Sequence, residues 1–248
     1  STGVMEGSIR QAVQKRALVT VCGAFSSRWY ELTVANGVPV DRIDVEPGQG
    51  FTPDMVDQAL SRGDYDTLTL TLNETSAGVM NPVQDIAAMV REKYPDVLIL
   101  VDAVSAMAGV KIEFDAWGLD VALSSSQKCF ALPPGLTITA VSARALKRAE
   151  QIPNRGYYFD FITMLKYYKR NQTPATPAIS LIQALNKQMD DILAEGLDNR
   201  WARHIAMAEV VRAWARKYWE MFPDDGFLSN TVSTIKNTRG ISVSDLNK

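Results

Sequence analysis

Six strand-like runs, ALVTVC (17–22), RIDV (42–45), TLTLTL (67–72), VLILV (97–101), VALSS (121–125) and LTITAV (136–141), recur along the chain with helix-like stretches between most of them. Those stretches are 4–15, 27–36 closed by Gly37, one opened by Thr52-Pro53, 82–94, and 143–152. Gly just past a helix, and Thr followed by Pro at its start, are the ordinary stop and start signals. Strands separated by helices are joined by crossovers, not hairpins. The pattern therefore predicts an α/β fold of three layers, with a mainly parallel central sheet between helices. After Pro177 the pattern changes to two long helices, 178–194 and 197–218, read as an edge layer and a connector. This divides the chain into a large domain, 1–195, and a segment, 196–248, that leads towards another domain.

Composition agrees with the pattern. A length of 248 residues with 46% hydrophobic and 22% charged residues suits one large domain plus part of another. The formal net charge of −2 gives no footprint for a polyanion, so nucleic acid is not an expected partner. No apolar stretch approaches the ~20 residues that cross a bilayer, and no membrane association is expected. Two cysteines, Cys22 and Cys129, are too few for a disulfide framework and suit a reducing compartment, so the expected location is cytoplasmic. The opening at Ser1 directly before a helix, and the strand-like TVSTIKN (231–237) with no evident partner so near the end, read as parts of a longer enzyme.

Two polar stops carry the chemistry. VLILV ends in Asp102, and VALSS runs on through SSSQK to Lys128. In open α/β sheets ligands sit at the carboxyl ends of strands, so an acid and an amine are delivered to the same rim. That pair suits pyridoxal 5'-phosphate, which needs a lysine for its Schiff base and a carboxylate to keep its ring nitrogen protonated. Lys128 precedes Cys129-Phe130, whose apolar walls would desolvate the amine and favour its neutral, nucleophilic form. Taken alone, Lys128 reads better as a surface lysine at a strand end, and Asp102 can be read as a helix-capping residue.

The ordered set S-T-G-x-M-E, G-A-F-x-x-R-W, N-E-T-S-x-G, V-D-A-V-S, S-x-S-Q-K with P-P-G, and G-L-x-N-R-W-x-x-H, from Ser1 to His204, resembles the class V, fold-type I aminotransferases. Within them it is most similar to the alanine:glyoxylate and serine:pyruvate (serine:glyoxylate) branch. The resemblance implies an N-terminal arm before Ser1 and a small C-terminal domain that holds the arginine for the substrate carboxylate. It implies Lys128 and Asp102 as the catalytic pair, with Val104 against one ring face. Phe25 matches the stacking position, where relatives often carry Trp; Trp29 reads as packing. Ser1, Thr2 and Gly3 match the phosphate-binding start of a helix, where free amides, hydroxyls and a close backbone approach favour an anion. Thr75, beside Glu74, matches the residue near the ring hydroxyl, and Gln127 helps to hold the phosphate. The loop NQTPATP (171–177), with Gln172, Thr173 and Thr176, matches one that reaches the partner's cofactor phosphate in a homodimer. Read on its own, it is a helix start with Thr176 as cap and Pro177 in the first turn.

The implied activity is transfer of an amino group from alanine or serine to a 2-oxo acid such as glyoxylate or pyruvate. The runner-up is phosphoserine transamination. From a different class comes a catalytically silent fold relative acting as a subunit. His204, the only histidine, lies in a long helix away from the motifs and reads as structural. No zinc site, Ser-His-Asp triad or phosphate-binding P-loop can be assembled from this sequence.

Overall fold

The computed structural model describes residues 1–246. In chain order the elements are α1 (Thr2–Ala12), β1 (Ala17–Val21), α2 (Ala24–Ala35), β2 (Val40–Asp44), α3 (Pro53–Leu60) and β3 (Thr67–Thr71). A hairpin, β4 (Asn73–Glu74) and β5 (Val79–Met80), then leads to α4 (Val83–Lys93), β6 (Leu98–Asp102), β7 (Val121–Ser125) and β8 (Thr137–Val141). The chain continues as α5 (Ala143–Glu150), α6 (Phe161–Tyr168), α7 (Ile179–Glu195), α8 (Leu197–Tyr218), β9 (Glu220–Met221) and β10 (Ile235–Lys236).

The main sheet has the order β2-β1-β3-β6-β7-β8. All neighbours are parallel except β7 and β8, which run antiparallel with Val121 opposite Val141. A parallel return needs a crossover of about a dozen residues or more, usually helical. The 126–136 connection is a turn without a helix, so β8 folds straight back.

Alternate residues of the strands feed two cores, which explains why β1, β3 and β6 are buried along their whole length. Ala17, Val19, Val21, Leu98, Leu100, Val121 and Leu123 pack with Met5 and Ile9 of α1, Trp29 of α2 and Ala145 of α5. Leu18, Leu68, Leu70, Ile99, Val101 and Ala122 pack with Val56 and Leu60 of α3 and Ile86 and Val90 of α4. The layers are therefore helix, sheet, helix, as expected. Chain order moves outward from β1 to β2 through α2, then reverses to β3 and β6 through α3 and α4. Right-handed crossovers in opposite directions put their helices on opposite faces and open a crevice between β1 and β3 at the carboxyl end.

Several boundaries differ from expectation for local reasons. α1 ends at Ala12 because Asp66 Oδ2 accepts from the Gln14 and Lys15 amides, both at 2.9 Å, and draws the chain into β1. α7 begins at Ile179 with Ala178 as N-cap and no side-chain cap, so Thr176 is not the cap of this helix. The run 231–237 contributes only Ile235–Lys236, and this strand is paired, antiparallel to β9. The sequence pattern also passed over α6 and the β4–β5 hairpin. Among the described residues no helix is long and apolar enough to cross a membrane.

Candidate active site

At the carboxyl rim lies a cavity of about 300 Å³ lined by Ser1, Thr2, Met5, Phe25, Arg28, Asn73, Thr75, Asp102, Val104, Gln127 and Lys128. Every wall comes from a different chain segment. β1 and α2 bring Phe25 and Arg28, β3 leads into Asn73 and Thr75, and β6 ends in Asp102. The turn after β7 brings Gln127 and Lys128, while the start of α1 brings Ser1 and Thr2. Val4 N and Met5 N both donate to Ser1 O at 2.9 Å, which leaves the Thr2 and Gly3 amides without protein acceptors among the described residues. Free first-turn amides with the helix dipole behind them favour an anion.

Asp102 is only 4% exposed. Its Oδ1 accepts from Val104 N at 2.8 Å, the single hydrogen bond to this carboxylate among the described residues. Burial pushes its pKa up to about 6, with the Glu74 charge adding to the rise, against the Val104 amide and the Arg28 cation. Asp102 does cap the turn that follows it, as the simpler reading had it. It also lines the cavity, so the two roles coexist. Arg28 lies over the Phe25 ring, 5.0 Å from its centroid, with Nη1 3.5 Å from Thr2 Oγ1. Thr75 Oγ1 donates to Ser105 Oγ at 2.8 Å, which ties the β3 loop to the turn after Asp102.

Glu74 organises this rim from beneath. It is fully buried, and α2 has no side-chain cap of its own because Gly23 stands at its N-cap. Glu74 Oε2 accepts from Ser26 N and Oγ, both at 2.8 Å, and Oε1 from Phe25 N at 3.3 Å and Ser76 N at 3.1 Å. The carboxylate thus caps α2 from another loop, which explains why the helix starts at Ala24, earlier than its sequence pattern implies. A Cβ at Gly23 would lie 2.5 Å from Glu74 Cγ, so the capping geometry requires glycine there. Glu74→Ala strands the buried Ser26 amide and hydroxyl, at ~1–3 kcal/mol each, and the part-buried Phe25 and Ser76 amides at less. A loss of about 3 kcal/mol or more in urea denaturation is expected, together with weaker capture of any ligand that stacks on Phe25.

Eight of the eleven residues expected at the site line the cavity: Ser1, Thr2, Phe25, Thr75, Asp102, Val104, Gln127 and Lys128. Gly3 does not. A Cβ there would strike Phe159 Cε2 at 2.4 Å, so the missing side chain admits Phe159, while the Gly3 amide stays free at the helix start. Thr173 and Thr176 lie outside the cavity, in an exposed stretch with Gln172. Trp29 is fully buried in the core. His204 Nδ1 lies 2.8 Å from Arg200 O within α8, and Cys129 Sγ donates to Ser105 O at 3.4 Å; neither lines the cavity. Met5, an apolar core residue, also lines the cavity, and the polar residues Arg28 and Asn73 were missed. Their signal was position: Arg28 is one helical turn after Phe25 and therefore on the same face, and Asn73 opens the loop that carries Thr75.

The geometry agrees with sequence comparison. The family model for class-V aminotransferases matches residues 4–217. The chain belongs to the class-V aminotransferases. It is 34% identical to the L-aspartate–glyoxylate aminotransferase of Paracoccus denitrificans over 252 residues, covering 96% of this chain and 62% of that protein. It is 31% identical to the serine–glyoxylate aminotransferase of Arabidopsis thaliana, covering 94% of this chain and 60% of that one. Among solved structures, the alanine–glyoxylate aminotransferase of a Nostoc species superimposes with a TM-score of 0.91 at 28% identity, covering 99% of this chain and 66% of that one. The chain thus spans somewhat less than two thirds of the length of these class-V relatives.

Class-V aminotransferases use pyridoxal phosphate, and the residues present fit it. The cavity offers a buried carboxylate for a pyridinium, an aromatic and an aliphatic wall for a flat ring, and free helix-start amides for a phosphate. It also offers an amine for an aldehyde.

Proposed function

We propose that the protein containing this class-V chain transfers an amino group from a small amino acid, alanine or serine, to a 2-oxo acid such as glyoxylate or pyruvate. The observation that carries this reading is Asp102 and Lys128 meeting on one cavity whose remaining walls suit the same cofactor. The relatives named above, acting on aspartate, serine or alanine with glyoxylate, support the acceptor and widen the donor set to aspartate.

Pyridoxal phosphate supplies an electron sink for the charge left when the substrate Cα loses its proton. Lys128 is the residue that would hold the cofactor's aldehyde covalently, and its amine, when free, would be the base placed to take the substrate Cα proton. Asp102 would keep the ring nitrogen protonated, Phe25 and Val104 would face the ring, Thr75 would serve its hydroxyl, and Thr2, Gln127 and the first amides of α1 would hold the phosphate. The exposed 171–177 loop reaches a second copy in a homodimer, where Thr173 or Thr176 donates to the partner's cofactor phosphate.

A donor panel of alanine, serine, aspartate and phosphoserine against glyoxylate, pyruvate and 2-oxoglutarate tests the reading. Highest kcat/KM is expected for alanine or serine with glyoxylate. Dominant phosphoserine turnover would move the chain to the runner-up activity, and protein that neither binds pyridoxal phosphate nor turns over any pair would make it a silent subunit.

A further inference from the structure

The segment GLDNRW at the start of α8 lies outside the cavity, yet it holds the two loops that bear the catalytic pair. Arg200 is 7% exposed. Its Nε donates to Ala108 O at 2.8 Å and its Nη2 to Cys129 O at 2.7 Å, while Nη1 pairs with Glu195 Oε2 at 2.9 Å. Ala108 closes the turn that follows Asp102, and Cys129 is the residue after Lys128. A single planar guanidinium therefore spans the acid's loop and the amine's loop.

Both loops hold an unfavourable backbone conformation, one at the point of attachment and one two residues beyond it. Ala108 has φ 71° and Ala131, in the Lys128 turn, has φ 55°. Non-glycine residues hold such angles only when their surroundings over-determine them. The Lys128 turn closes on itself through Ala131 N donating to Lys128 O at 2.8 Å, and the acid's turn through Met107 N donating to Ala103 O at 2.8 Å. At their bases the two turns are joined by the β6–β7 ladder, by Ala103 N donating to Leu123 O at 2.9 Å and by Ser124 Oγ donating to Val104 O at 3.2 Å; farther out the Arg200 fork joins them, with Cys129 Sγ donating to Ser105 O as a weaker tie. Lysine at this position has one point charge on a flexible stem and lacks the rigid fork that reaches two carbonyls at fixed spacing.

We infer that Arg200 is a positioning residue that sets the Lys128 amine against the Asp102 carboxylate by clamping the 103–109 and 125–131 turns to α8. The inference rests on the roles proposed above for Lys128 and Asp102, and two measurements separate its fate from theirs. The first is amide hydrogen exchange on Arg200→Ala, Arg200→Lys and, as control, Arg203→Ala, which loses the other Glu195 partner but touches neither loop. Both Arg200 variants are expected to exchange at least tenfold faster at the amides of 107–110 and of 128–132 together, with β3 and α4 unchanged and the control like wild type. The second is the rate at which pyridoxal phosphate is trapped on Lys128 by borohydride, read by peptide mass. It is expected to fall at least tenfold in both Arg200 variants and not in the control.

Faster exchange in only one loop, exchange spread through the whole domain, or an equal effect of Arg203→Ala overturns the clamp. So does an unchanged trapping rate once both loops have loosened. Should Arg200→Ala fail to fold, Arg200→Lys carries both measurements. If wild-type protein traps no pyridoxal phosphate at Lys128, the cofactor reading falls and the exchange arm still decides whether Arg200 clamps the two turns.

Discussion

Lys128→Ala is expected to yield a folded, colourless protein whose transaminase activity is lower by roughly 10⁴-fold or more. Acid–base catalysis by a positioned side chain alone contributes up to about 10⁴-fold, and this variant also removes the covalent anchor for the cofactor. The fold has little stake in the residue. Lys128 is half-buried, makes no ion pair among the described residues, and contributes to the Lys128 turn through its backbone, which alanine keeps. Thermal midpoints of the two cofactor-free proteins should therefore agree within the effect of a ~0.5 kcal/mol change. Visible absorbance after adding pyridoxal phosphate, borohydride trapping with peptide mapping, and thermal melts check the three parts separately. Yellow colour in the variant with the label on another lysine would move the anchor elsewhere. Residual activity above about one part in a hundred would remove Lys128 from proton transfer.

What the sequence made legible follows a physical boundary. Asp102 and Lys128 were readable because apolar strand runs deliver them, and the carboxyl rim of a parallel sheet is where such residues converge; Val104 and Gln127 came from the family resemblance alone. Ser1 and Thr2 were readable as a helix start. Gly3 is compatible with two uses, an amide free for an anion and close approach of a neighbouring element; the second, by Phe159 from far along the chain, was not legible. Glu74 and Arg200 act in the same non-local way. One caps a helix that begins far upstream of it in sequence, and the other grips carbonyls of two loops that precede it by most of a domain. Backbone acceptors and donors have no sequence signature, so side chains that serve them are invisible until the chain is folded. The antiparallel return of β8 was likewise hidden, because the decisive fact is the lack of a helix between 126 and 136.

Asp102→Asn separates function from stability with opposite signs. In the cofactor-free protein Asp102 is buried and its pKa is raised from 3.8 to about 6, so between those values the folded chain keeps a proton that the unfolded chain has released. Stability is then greatest below 3.8, falls as pH rises toward about 6, and is flat in this respect above it. The difference corresponds to roughly 3 kcal/mol at most, at 1.36 kcal/mol for each pH unit. Asparagine has the same shape, can still accept from Val104 N through its carbonyl, and never ionises. Cofactor-free Asp102→Asn should therefore be the more stable protein at pH 8, by up to that amount, with the gap closing as pH is lowered toward 4. Urea denaturation at several pH values measures it. Bound pyridoxal phosphate reverses the balance, because a pyridinium gives the Asp102 charge the partner it lacks and gives asparagine nothing comparable. The variant should keep the cofactor on Lys128, gain less stability from it than wild type does, and turn over some 10²–10³-fold more slowly, the range seen when one pre-set electrostatic partner is removed from an active site. An asparagine variant no more stable than wild type at pH 8, yet fully active, would reduce Asp102 to the cap of the turn that follows it.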